Sequence, residues 1–288
     1  MYMTTKIFTA SDNTSLICAI WDNVENPIGV VQIIHGIFDS MKNYDRLAHF
    51  LNRNGYIVFG IDKPITRTTR TFDSATKNEI DIMQYLVSKY TLPIFLIGYG
   101  YGGFIAQYVL QSADIPTTAV CLIKSAKQYR LSLHVAYKIA QIGARIWGAD
   151  TPARIINFFV RRHCGHTQRH PMGTYGFYKS LLGGMIKLNA NSNFDNPILI
   201  ICGANDCDAP NPRFSRALYN AYHNNDLINT TLLVYPDMQN KMLMEINCGR
   251  IQSDILSFFN DTNLLYHSDM SANVNGTIFC KSDGANCT

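Results

Sequence analysis

The segment Ile94-Phe95-Leu96-Ile97-Gly98-Tyr99-Gly100-Tyr101-Gly102-Gly103 constrains the chain more than any other. A short buried-type strand runs into glycines and then into the helical run Phe104-Ile105-Ala106-Gln107-Tyr108. Two readings follow from the strand-turn-helix pattern. Gly98, Gly100 and Gly103 satisfy G-x-G-x-x-G, the phosphate-binding turn of a dinucleotide fold. Against it, the next strand ends at Ile123-Lys124-Ser125 without the acidic residue that grips a ribose, and two β-α units precede the motif. The other reading takes Gly98-Tyr99-Gly100-Tyr101-Gly102 as a G-x-S-x-G nucleophile elbow with glycine in place of serine. Such an elbow needs small flanking residues because the strand turns sharply and its central residue projects above the sheet. Gly98 and Gly102 meet that need.

The rest of the chain supplies a sheet for either reading. Lys6 to Ala10 and Ser15 to Trp21 flank the turn signal Ser11-Asp12-Asn13, which predicts an opening hairpin. Val30 to Ile34 is a buried strand ending in His35-Gly36; Tyr44 to Asn54 has helical spacing and closes on Gly55 as a C-terminal cap. The alternation continues with a strand at Tyr56 to Ile61, a helix from Asn78 to Tyr90, the glycine segment with a helix from Gly102 to Leu110, and a strand at Thr118 to Ile123. Only helical spacing reads between Lys124 and Asn193, with helices at Leu131 to Ile146, Ala153 to Val160 and Tyr175 to Ile186. The rhythm then resumes: strand Ile198 to Cys202, helix Phe214 to Tyr222, strand Thr231 to Tyr235, helix Ile246 to Phe259. The expected architecture is a mostly parallel α/β sheet flanked by helices, its core formed by 1–123 and 194–260, with a helical cap inserted at 124–193 and a flexible polar tail at 261–288. Apolar residues at 47% and charged residues at 16% exclude a disordered chain.

Three further segments carry a family resemblance. They are Val31-Gln32-Ile33-Ile34-His35-Gly36-Ile37-Phe38-Asp39-Ser40 with Tyr44-Asp45-Arg46-Leu47-Ala48, then Ile198 to Asp206 as a strand followed by G-x-x-D, and Tyr235-Pro236-Asp237-Met238-Gln239-Asn240-Lys241. With the elbow, they resemble the monoacylglycerol lipase, lysophospholipase and serine aminopeptidase-like branch of the α/β-hydrolase superfamily, over about Lys6 to Phe259. The resemblance implies an α/β-hydrolase fold with nucleophile at Gly100, acid at Asp206 and base at Asn240. It also implies an oxyanion hole from the amides of Ile37 and Tyr101, with His35, Gly36 and Tyr99 beside the ligand. Only the acid keeps its family residue. Neither glycine nor a carboxamide can attack a carbonyl or shuttle its proton near neutral pH. The expected function is therefore a lipase/esterase-like protein with a catalytically degenerate site that retains a pocket for a small lipid-like or ester ligand. Apolar cap positions such as Ile139, Ile142, Phe158, Phe159 and Phe177 are expected to line it or to pack together. One alternative is an active serine ester hydrolase whose Gly100 is an engineered or erroneous residue; the other is the dinucleotide-dependent oxidoreductase.

Other residues are weighed against the same pattern. Asp208 competes with Asp206 for the acid, and the G-x-x-D spacing favours Asp206. Asp39 and Glu245 read as solvated or helix-end carboxylates. His163, Cys164, His166 and His170 are metal-type ligands, but Arg161, Arg162 and Arg169 around them disfavour a cation, so no metal and no cofactor are expected. A net charge of +4 is too balanced for a nucleic-acid track, and the expected partner is a small molecule. No apolar run reaches the length of a membrane span, which leaves peripheral contact with a membrane open. Buried-type cysteines such as Cys121 and Cys202, and an N-terminus without an apolar leader, point to the cytoplasm; the sequons at Asn13, Asn229, Asn260, Asn275 and Asn286 are expected to stay unmodified.

Overall fold

A computed structural model describes residues 3–36, 39–62, 71–125, 131–157, 173–188, 196–204, 212–223, 229–236, 238, 242–244 and 248–274. Their strands are β1 Thr4–Thr9, β2 Ser15–Trp21, β3 Gly29–Ile34, β4 Tyr56–Asp62, β5 Ile94–Tyr99, β6 Ala119–Ile123, β7 Ile198–Gly203 and β8 Thr230–Tyr235. They form one eight-stranded sheet in the order β1-β2-β4-β3-β5-β6-β7-β8. β1 pairs antiparallel with β2 and β2 antiparallel with β4, whereas every pairing from β4 through β3 to β8 is parallel. The hairpin turn is closed by Asn13 at φ 65°, a conformation asparagine tolerates.

Seven helices carry labels: α1 Asp45–Arg53, α2 Phe72–Lys89, α3 Tyr101–Ser112, α4 Leu131–Ile146, α5 Tyr175–Lys187, α6 Pro212–His223 and α7 Gly249–Val274. Parallel strands covered on both faces read as continuous apolar runs, and each central strand splits its side chains between two layers. Ile94 and Leu96 of β5 pack with Phe104 and Val109 of α3, Ile82 and Leu86 of α2, and Leu218 and Tyr222 of α6. Phe95 and Ile97 of the same strand face Leu47 and Leu51 of α1 and Ile251, Ile255 and Phe259 of α7. Gly55 at φ 91° supplies the left-handed residue that ends α1.

The helices between β6 and β7 form their own small cluster, in which Ala140, Ala153, Ile156, Tyr175, Tyr178 and Leu182 are buried. Of the helix expected at Ala153 to Val160, residues 154–157 are helical and the remainder lies outside the described residues. α5 sits on the first turn of α2. The Phe72 N–H donates to Ser180 Oγ at 2.6 Å, Lys187 pairs with Asp73 at 2.9 Å, and a Cβ at Gly184 would stand 2.1 Å from the Phe72 ring.

Two helix boundaries differ from the sequence expectation. α2 begins at Phe72 rather than Asn78, because Thr71 caps it by accepting from the Ser74 N–H at 3.1 Å. The tail expected to be loose from 261 continues α7 to Val274. There Thr262 Oγ1 donates back to the Phe258 carbonyl at 2.9 Å, and Asn263 Nδ2 donates to the Ile28 carbonyl at 3.1 Å, which fastens the helix beside β3. Residues 275–288 lie outside the described set.

Candidate active site at the carboxyl edge of the sheet

Sheets of this kind bind ligands beyond the carboxyl ends of their strands, and that edge gathers His35 after β3, Gly100 after β5 and Lys124 after β6. Gly100 forms the corner between β5 and α3, with φ 53° and ψ −112°. Its N–H donates to the Ile123 carbonyl at 2.8 Å, and its carbonyl accepts from Gly103 N–H at 3.0 Å, so both sides of the corner are tied down. The flanking glycines are needed by contact. A Cβ at Gly102 would lie 1.9 Å from the Ile34 carbonyl oxygen, and one at Gly98 2.7 Å from the Gly103 Cα. At Gly100 itself an added Cβ would meet none of the described residues within 4 Å. The corner therefore has the shape of an elbow with an outward-facing central residue. The dinucleotide reading fails here, because the motif stands on the fifth strand and its second glycine turns outward.

Tyr101 opens α3, so its N–H is one of the donors that a helix start leaves without an intrahelical partner. Its ring meets Phe72 edge-on at 6.0 Å, and burial, with smaller contributions from Glu79 and Asp73, raises its hydroxyl pKa. α3 is pinned from behind. Gln107 Nε2 donates to Ser125 Oγ at 2.8 Å, Tyr222 donates to Gln107 Oε1 at 2.9 Å, and Ser215 Oγ donates to the Ser125 carbonyl at 2.9 Å.

His35 is buried at the end of β3, its Nδ1 2.7 Å from the Gly36 carbonyl; since a carbonyl only accepts, Nδ1 carries the proton. Gly36 N–H donates to the Tyr44 hydroxyl at 3.3 Å, and that hydroxyl donates to Asp39 Oδ2 at 2.9 Å. The Asn43 side chain donates to the other Asp39 oxygen. Burial first, and then the neighbouring Asp39, push the Tyr44 hydroxyl well above its ordinary pKa. Tyr99 closes the group, its ring edge-on to Tyr44 at 5.9 Å and 3.5 Å from where a Gly36 Cβ would be. His35 and Gly36 thus stand beside Tyr99 at the end of β3. Asp39, read as a solvated or helix-end carboxylate, stands half-buried two residues before the short helical turn at Met41–Tyr44 and accepts from Tyr44. Ile37, Asp206, Asp208, Asn240, Glu245 and the histidines at 163, 166 and 170 lie outside the described residues. Among the described residues no group of three or more His, Cys, Asp or Glu side chains is placed to hold a metal ion.

A cleft of about 740 Å³ opens between α4, α5 and the start of α2, with Thr71, Asp73, Tyr137, Arg145, Phe177 and Lys187 among its walls. Phe177 lines it, Ile139 is half-buried in the α4–α5 cluster, and Ile142 is 53% exposed on the outer face of α4, which corrects its expected place in a pocket. Phe158 and Phe159 lie outside the described residues.

The family model described as serine aminopeptidase, S33 matches residues 25–247. A monoglyceride lipase homolog of Monkeypox virus is 25% identical over 158 residues, covering 52% of this chain and 56% of the relative. The phospholipase YtpA of Bacillus subtilis (strain 168) is 26% identical over 130 residues, covering 42% of this chain and 50% of the relative. The chain thus spans about half the length of these two relatives. Among solved structures, a thermostable carboxyl esterase from Bacillus coagulans superposes with a TM-score of 0.79 at 14% identity, over 91% of this chain and 99% of the other. A soluble variant of monoglyceride lipase from Saccharomyces cerevisiae gives 0.67 at 16% identity, over 91% and 95%. At such identities the likeness is one of fold.

Proposed function

The chain belongs to the serine aminopeptidase S33 family of α/β-hydrolases, and from that premise we propose that it is a lipase/esterase-like protein whose catalytic site is degenerate and which binds a lipid-like or ester ligand without cleaving it. The observation that carries the reading is Gly100 at the apex of the elbow. In this reading Asp206 keeps the acid position, Asn240 replaces the base, and the amides of Tyr101 and Ile37 face the ligand carbonyl. Loss of either serine or histidine from such a unit costs on the order of 10⁶ in turnover, leaving about 10³ to 10⁴ over water from carbonyl polarisation and binding. Asn240 still offers an amide N–H to the acid that a histidine would have satisfied.

The lipid-like ligand is supported by the two relatives, named as a monoglyceride lipase homolog and a phospholipase. No helix among the described residues is long and apolar enough to cross a membrane. Val135, Ile142, Ile146 and Trp147 stand exposed along α4 and its end, which supports peripheral contact with a lipid surface. Cys18, Cys121, Cys202 and Cys248 are buried free thiols, in keeping with a reducing, cytoplasmic setting.

One observation favours the alternative of an active serine hydrolase: among the described residues none stands within 4 Å of a Cβ at Gly100. Assays with p-nitrophenyl esters and monoacylglycerols separate the two. No turnover is expected from the chain as it stands, little from Gly100→Ser or Asn240→His alone, and partial recovery from the pair. Robust activity of the unaltered chain, blocked by a fluorophosphonate, would sink the degenerate reading.

A further inference from the structure

The Tyr44 hydroxyl has no part in the function described so far, although the residue is wholly buried. Among the described residues its two hydrogen bonds both go to the turn after β3. It accepts from the Gly36 N–H at 3.3 Å and donates to Asp39 Oδ2 at 2.9 Å, while the Asp39 N–H returns to the Gly36 carbonyl at 3.3 Å. These three bonds join the two sides of the turn in a closed ring. The ring is itself anchored. Asn43 donates to the second Asp39 oxygen, the Met41 N–H donates to Asp62 Oδ1 at 2.7 Å at the end of β4, and the Tyr44 ring packs edge-on to Tyr99 at 5.9 Å.

The Gly36 carbonyl also accepts the His35 Nδ1 proton at 2.7 Å, so it is held by two donors. A peptide unit is planar and trans, and the N–H that follows a carbonyl points opposite to it. Fixing the Gly36 carbonyl therefore aims the next N–H of the chain, the donor that the proposed function sets against a ligand carbonyl. Resting on that reading, we propose that Tyr44 and Asp39 are positioning residues for carbonyl recognition: they act through the Gly36 backbone, not on the ligand, and keep the donor after it aimed. Donors of this kind are effective because they are fixed before the ligand arrives. A pair that served only to fold the turn would leave the choice between ligands with and without a carbonyl untouched.

Equilibrium binding to the full chain of radiolabelled methyl oleate and of oleyl methyl ether, which lacks the carbonyl, tests it. The unaltered chain is expected to prefer the ester about tenfold, the order of one hydrogen bond. Tyr44→Phe keeps the ring and loses the hydroxyl, and should bring the two affinities within about twofold of each other while leaving that for the ether unchanged. Asp39→Ala should do the same, and Asp39→Asn, which still accepts from Tyr44, should keep the preference. A folded Tyr44→Phe or Asp39→Ala chain with the unaltered ratio overturns the proposal. If the unaltered chain itself shows no preference, the reading of the amides has failed, and hydrogen exchange then judges the clamp. The Gly36 and Asp39 amides should exchange about tenfold faster in Tyr44→Phe or Asp39→Ala, with those of β5 unchanged. Unaltered exchange at Gly36 and Asp39 overturns the proposal as well.

Discussion

Three glycines within five residues do different work, and substitution separates them. Gly102 is fixed by a neighbour's backbone: its Cβ would enter the Ile34 carbonyl, so Gly102→Ala must push α3 off β3. Among the described residues nothing stands close to a Cβ at Gly100, and against them Gly100→Ser carries the conformational cost of its corner, about 1–3 kcal/mol. Urea unfolding should show Gly100→Ser folded with a modest loss and Gly102→Ala losing more, to the point of failing to fold. The reverse ranking would contradict the elbow. Sequence spacing made the need for small residues at Gly98 and Gly102 legible, because a sharp strand-to-helix turn demands them. It could not show that Asp39 and Tyr44 meet. The Tyr44 hydroxyl donates directly to Asp39 while accepting the Gly36 N–H, and the turn that brings these groups together is not recorded in the apolar spacing.

At the scale of elements, the strands were the most legible part, since a strand buried on both faces is written as a continuous apolar run such as Ile198 to Cys202. Helix ends were less so. α2 gains its first turn from a threonine cap and from α5, both invisible to apolar periodicity, and α7 outruns its apolar stretch with Thr262 and Asn263 buried and donating to backbone carbonyls. The seam between α5 and α2 rests on packing more than on charge. Phe72 is buried against Gly184, Tyr101 and Tyr108, so Phe72→Ala should cost about 3–5 kcal/mol and free α5 to limited proteolysis. Lys187 and Asp73 are both more than half exposed, and Lys187→Met should change stability by less than about 1 kcal/mol. Equal losses from the two variants would contradict a seam held by packing more than by charge.

Over the whole molecule, burial of neutral acids sets the response to pH. Desolvation pushes the Cys18 thiol up to about 12 from an ordinary 9.0, and raises the Tyr44, Tyr56 and Tyr235 hydroxyls above their ordinary 10.0. Each group holds its proton more tightly folded than unfolded, so its contribution is complete below the unfolded value and is lost as pH rises toward the folded one. The melting temperature should therefore hold steady on approaching pH 9.0 from neutrality and fall between there and about 12. A melting temperature that rises over that interval would contradict the burial of these groups.

Whether a nucleophile survives anywhere in this scaffold is decided by treating the unaltered chain with a fluorophosphonate and weighing it intact. No adduct is expected from the native chain, while Gly100→Ser with Asn240→His should gain one on residue 100. A stoichiometric adduct on the native chain, mapped to any serine, would contradict a site without a nucleophile.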